Sequence, residues 1–165
     1  NGMDSTSNVG PLINGKAIEK VERLVEQAVS SGAEIIVGGK KINGEGYFYQ
    51  PTILTGVNAS MDIFNQEIFA PVASIISFED EKEVIQLANQ THYGLCSYVY
   101  TENASRMWRL SEQLEFGMVG INEGVLSNVL APFGGIKESG MGREGGHWGI
   151  EEYFETRYVC IGNVE

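Results

Sequence analysis

The chain has 165 residues, 42% of them hydrophobic and 20% charged, and carries a formal net charge of −11. That length suits one domain able to bury roughly 68–70% of its extended-chain surface, and no stretch approaches the roughly 18 apolar residues of a membrane span. The acidic balance argues against nucleic acid and against anionic membrane surfaces, because phosphate binding relies on Lys and Arg, yet it leaves room for a pyrophosphate cofactor at a helix N-terminus.

Along the chain, Ala17, Ile18, Val21, Leu24, Val25, Ala28 and Val29 recur at helical spacing among charged residues, which predicts an amphipathic helix over 16–30 closed by Gly32. Residues 34–37 form a β-branched run. Residues 47–54 form a second extended run, and Pro51 within it points to an edge strand or an extended segment. Farther on, the pattern predicts a strand over 72–78, a helix over 81–89, a strand over 97–100, a helix over 104–114 and a strand over 119–121. Alternation of this kind is the mark of crossovers in an α/β fold with a largely parallel sheet flanked by helices.

After Asn122 periodicity stops and a glycine-rich excursion runs to about Gly149. Six of the chain's 21 glycines fall within 132–146, and such density lets backbone pass close to a ligand or to another segment. Gly140-x-Gly142-x-x-Gly145 matches the dinucleotide fingerprint literally. That fingerprint needs an apolar strand before its first glycine, and Lys137-Glu138-Ser139 stand there instead, so the match is rejected. Residues 153–161 alternate as a terminal strand. Cys96 and Cys160 sit in apolar sequence without metal-ligand spacing, which suggests buried free thiols in a reducing, cytoplasmic setting and no metal site. His92 and His147, the only histidines, take no role.

The block from Gly117-Met118-Val119-Gly120-Ile121-Asn122 through Pro132-Phe133-Gly134-Gly135-Ile136-Lys137-x-Ser139-Gly140-x-Gly142-Arg143-Glu144 to Gly149-Ile150-Glu151-Glu152-Tyr153 resembles the C-terminal part of the NAD(P)-dependent aldehyde dehydrogenases. Gly10-Pro11-Leu12-Ile13-Asn14 and Glu67-Ile68-Phe69-Ala70-Pro71-Val72 match the same family in the same order. Asn122-Glu123-Gly124-x-x-Ser127-Asn128 and Tyr158-Val159-Cys160-Ile161-Gly162 look most like its succinate-semialdehyde branch.

The resemblance implies a partial catalytic domain over 1–152 and an oligomerisation strand with the C-terminus over 153–165, as an excised piece of a longer protein. It implies NAD or NADP as cofactor, with Glu67 holding the nicotinamide ribose and Phe69 packing beside the nicotinamide ring. Phe133 would line the substrate tunnel, Ser127 would hydrogen-bond the far carboxylate of a small aldehyde substrate, and Glu144 would relay protons to the general base. Lys20 falls near a family contact to the cofactor, although its place on a helix face favours a solvated lysine. The family's cysteine nucleophile, general base and Rossmann domain would precede this chain, so the chain alone is expected to be inactive, and the terminal strand implies a homo-oligomer. The rivals are an aldehyde dehydrogenase of another substrate specificity and a non-catalytic assembly module.

Overall fold

The computed structural model describes residues 2–163; Asn1, and Val164 and Glu165 at the end of the expected C-terminal strand, lie outside the described residues. The chain divides into two compact units, Asn1–Glu81 and Lys82–Glu165.

In the first unit, helix α1 (Gly15–Ser30) begins where the sequence supplies a cap: the Asn14 side chain accepts from the Ala17 amide, satisfying one of the donors a helix start leaves open. It ends at Gly32, whose φ of 104° belongs to the left-handed region. Gly32 N–H donates to Val29 and Ala33 N–H to Ala28, the paired bonds of a Schellman stop. Ile18, Val21, Leu24, Val25 and Ala28 form the buried face. They pack with Ala33, Tyr49, Leu54, Val57, Met61 and Ile63 into one apolar cluster.

Strands β1 (Glu34–Val37), β2 (Thr52–Thr55) and β3 (Val72–Ser74) form a sheet in that order. β1 runs antiparallel to β2, and β2 runs parallel to β3. Of the edge strand or extended segment expected at 47–54, the edge strand is corrected by this order, since Thr52–Thr55 form the central β2, while 47–51 lie outside any strand, with an isolated bridge at Tyr49. Pro51 falls just before the strand, where its missing N–H removes no ladder bond. Thr52 N–H then takes up the ladder by donating to the Pro71 carbonyl at 2.9 Å. A four-residue helix, α2 (Asp62–Asn65), precedes the Glu67 segment.

In the second unit, α3 (Glu81–Asn89) is followed by β4 (Tyr93–Gly94), β5 (Cys96–Val99), α4 (Ala104–Gln113) and β6 (Met118–Ile121). β5 and β6 pair in parallel across α4, the crossover unit that the alternation predicts. β7 (Ile136–Lys137) pairs antiparallel with β4, and α5 (Trp148–Glu151) closes the glycine-rich excursion. The single largely parallel sheet is therefore not what forms. Among the described residues, seven strands divide among one three-stranded and two two-stranded sheets, because apolar patterning specifies which segments extend and leaves their neighbours unspecified.

The terminal segment departs from expectation as well. Residues 154–163 carry no strand and are exposed, since a strand exists only against a partner ladder and none is supplied among the described residues. Cys160 is exposed for the same reason and Cys96 is only half-buried, so neither is the buried thiol that its neighbours suggest.

Candidate functional site

In the first unit, Glu67 and Phe69 lie on the turn between α2 and β3. Phe69 adopts φ 53°, a left-handed conformation uncommon for a side chain of its size and costing of order 1–3 kcal/mol unless the surroundings impose it. The next residues show what imposes it. Ile68 and Ala70 pack against the core cluster, Val72 N–H donates to the Ala70 carbonyl at 2.7 Å, and Pro71 offers its carbonyl to Thr52. With both neighbours turned inward, the Phe69 ring is turned out and is 82% exposed.

Left-handed geometry falls on Phe69 and not on Ala70, so glycine is not required at position 70. Glu67 is exposed, and its carboxylate has no hydrogen-bond or ion-pair partner among the described residues. An ionised carboxylate is an acceptor only, and one left free two residues before an outward aromatic ring suits a pair of ribose hydroxyls next to a planar heterocycle. In that respect the residues present fit a nicotinamide nucleotide.

Lys20 is not the solvated lysine expected of a helix face. Its ammonium donates to the backbone carbonyl of Glu67.

In the second unit, the glycine-rich excursion folds back on itself. A side chain on Gly117 would place its Cβ 2.1 Å from the Gly134 carbonyl oxygen, so two backbones cross where only hydrogen fits. Gly94 N–H donates to Ser139 Oγ at 3.0 Å and Gly117 N–H to the Gly94 carbonyl at 2.9 Å, which ties the crossing to β4. Lys137 reaches across to the carbonyls of Asn89 and Thr91 at 2.8 and 3.3 Å and pairs with Glu115 at 2.8 Å.

These ties bring Phe133 and Glu144 side by side. Their amides and carbonyls exchange two hydrogen bonds of 2.7 Å. A cavity of about 320 Å³ opens there, lined by Phe133, Gly134, Gly135, Arg143, Glu144 and Glu152 among others. Arg143 points its guanidinium into the loop, donating to Gly135 and Gly142 at 2.8 and 2.6 Å, so it secures the cavity wall. The Glu144 carboxylate is exposed and without a partner among the described residues.

Ser127 is exposed in the preceding loop and its hydroxyl makes no hydrogen bond among the described residues. Its motif neighbours have structural work. Asn122, at φ 54°, clasps the Thr101 backbone with bonds of 2.9 Å to N–H and to carbonyl, and Glu123 accepts from the amides of Gly124 and Val125. Gly140, Gly142 and Gly145 all have positive φ in a bend and turn region, and only the four-residue α5 follows them, in keeping with rejection of the dinucleotide fingerprint. The larger cavity, about 420 Å³, holds none of the candidate residues; Glu22, Glu26, Lys40, Lys41 and Tyr49 line it in the first unit.

Sequence reasoning passed over Arg23 and Gln27, which bind α2. Their helical spacing from Lys20 was visible, but what they would face was not.

The family model for the aldehyde dehydrogenase family matches residues 1–159. The chain is 46% identical over 164 residues to the mitochondrial succinate-semialdehyde dehydrogenase of Oryza sativa subsp. japonica, covering 99% of this chain and 31% of that protein. It is 51% identical over 161 residues to the glutarate-semialdehyde dehydrogenase of Pseudomonas putida, covering 98% and 33%. Among solved structures, an NADP-dependent enzyme of E. coli superposes with a TM-score of 0.94 at 48% identity, covering 99% of this chain and 34% of that one. The chain thus spans about a third of the length of the relatives it matches. It belongs to the aldehyde dehydrogenase family.

Proposed function

We propose that the chain is the C-terminal portion of the catalytic domain, with the last oligomerisation strand, of an NAD(P)-dependent aldehyde dehydrogenase that oxidises succinic semialdehyde to succinate. The observation that carries this reading is the Glu67 carboxylate, without a partner among the described residues, two residues before the outward, left-handed Phe69. NAD or NADP, when bound, supplies the hydride acceptor. Glu67 accepts hydrogen bonds from the nicotinamide ribose, and the Phe69 ring limits where the nicotinamide can lie. Phe133 packs against the aldehyde's carbon chain, Ser127 donates to its far carboxylate, and Glu144 passes a proton toward the general base. The cysteine that forms the thioester, the general base and the Rossmann domain lie in the two thirds of the family length outside this chain, so the chain alone is inactive. The working enzyme is a cytoplasmic homo-oligomer.

Two substitutions in the full-length enzyme test the reading. Glu67→Gln keeps the shape and removes the charge; loss of a charge-assisted hydrogen bond of about 1.5 kcal/mol raises the NAD(P) dissociation constant about tenfold. Unchanged cofactor binding overturns the assignment. Ser127→Ala lowers kcat/KM for succinic semialdehyde relative to a neutral aldehyde of equal length, and an unchanged ratio removes Ser127 from the substrate site.

A second reading has one specific observation behind it, the 51% identity to a glutarate-semialdehyde dehydrogenase. Under it the preferred substrate is an ω-carboxylated aldehyde one carbon longer. The ratio of kcat/KM for the two aldehydes separates the readings.

A further inference from the structure

A polar stripe runs along α1 beside its buried face. Lys20, Arg23 and Gln27 fall at i, i+3 and i+7, which places them on one side of the helix. All three engage the short segment that leads to Glu67. The Lys20 ammonium donates to the Glu67 carbonyl. The Arg23 guanidinium donates to the Asp62 carboxylate at 3.3 Å and to the Gln66 side-chain oxygen at 3.0 Å. The Gln27 side-chain oxygen accepts from the Asp62 amide at 3.2 Å.

These contacts grip both ends of α2. That helix has four residues and no side-chain hydrogen bond at its N-cap, and a single helical turn does not hold itself together in water. α1 is the opposite case, with 16 residues, a capped start and five buried side chains. A rigid element therefore clamps a weak one, and two residues beyond the weak one lies the Glu67 carboxylate, which has no partner among the described residues.

We propose that Lys20, Arg23 and Gln27 are positioning residues that hold Glu67 in its cofactor-binding place before the nucleotide arrives. The inference rests on the reading of Glu67 as the ribose-binding carboxylate. Fixing a residue's backbone costs conformational entropy. A loop ordered in advance by α1 spares the cofactor that cost, and affinity gained in this way is preorganisation. The clamp contributes little to global stability. The side chains of Arg23 and Asp62 are 54% and 47% exposed, and ion pairs so exposed add little to stability. Cofactor affinity and global stability thus respond differently to its loss.

The experiment uses the full-length enzyme as wild type, Arg23→Ala, Glu67→Gln and the double variant. NAD(P) binding is titrated without aldehyde, and hydrogen exchange is followed across residues 62–72. Arg23→Ala raises the NAD(P) dissociation constant roughly three- to tenfold, speeds exchange across 62–70, and leaves the aldehyde KM and the thermal midpoint close to wild type. In the double variant Arg23→Ala adds little to the effect of Glu67→Gln, because the two act through one contact. If Glu67→Gln weakens binding and Arg23→Ala does not, or if the two effects add in full, the positioning role is overturned and the reading of Glu67 stands. If Glu67→Gln leaves binding unchanged, the reading itself fails and the positioning role falls with it.

Discussion

The Tyr49 hydroxyl is buried without a hydrogen-bond partner among the described residues. Burial first, and then the charges of Glu22 and Glu26, push its pKa above the ordinary value of 10.0. The folded chain therefore holds this proton more tightly than the unfolded chain does. Stability from this group is complete below pH 10 and declines as pH rises from there toward the folded-state pKa. Tyr49→Phe deletes the orphaned hydroxyl, so urea unfolding near pH 7 shows stability unchanged or higher by up to about 1 kcal/mol. The same variant flattens the loss that the wild type suffers above pH 10. Gly117 is a site of the other kind, where nothing can be added. Gly117→Ala sets a methyl group 2.1 Å from the Gly134 oxygen, and the backbone shift it forces lowers stability by about 1–3 kcal/mol in denaturant titration. An unchanged midpoint would mean that the two strands of backbone do not cross there.

Among elements, α1 is the one that sequence describes most completely. Asn14, the apolar repeat and Gly32 are its cap, buried face and stop, and each acts locally. Asn14→Ala removes the bond to the Ala17 amide and costs about 1 kcal/mol in thermal or chemical unfolding. The helices at 81–89 and 104–113 and the parallel pair β5 and β6 were legible for the same reason. The rest turned on partners distant in sequence. Nothing near Pro51 announces that β2 will be flanked on both sides. The two-residue strands β4 and β7 are made by the Gly94, Gly117 and Ser139 contacts and not by β propensity. The Phe133 and Glu144 bridge has no periodicity to betray it. Among the candidate residues, family motifs named Glu67 and Phe69 in the first unit and Phe133 and Glu144 in the second. What they could not convey was which backbone angle turns Phe69 outward, or that Lys20 is committed to the Glu67 carbonyl.

Across the whole chain, apolar burial is uneven. The eleven-residue buried cluster belongs entirely to the first unit, whereas Leu110 is the one buried hydrophobic residue of the second among those described. Val129, Leu130, Met141, Tyr153, Phe154, Tyr158 and Ile161 are all exposed large apolar side chains in that second unit. Exposed apolar surface on this scale marks a place where other protein belongs, and 154–163 adds unpaired backbone of the sort that templates association. The isolated 165-residue chain therefore self-associates as its concentration rises, read by light scattering, and a sharp monomer at high concentration would contradict this. Leu24→Ala, in the sealed cluster, costs about 2–5 kcal/mol in the first unit, with no counterpart of that size expected at the uncovered side chains of the second.

The two 2.7 Å bonds between Phe133 and Glu144 join residues with separate proposed duties. Under those proposed duties, an aldehyde whose tail is too bulky for the ring's resting place would shove the main chain and drag the acid along with it. Fit of the fuel and timing of the proton would then share a single mechanical linkage.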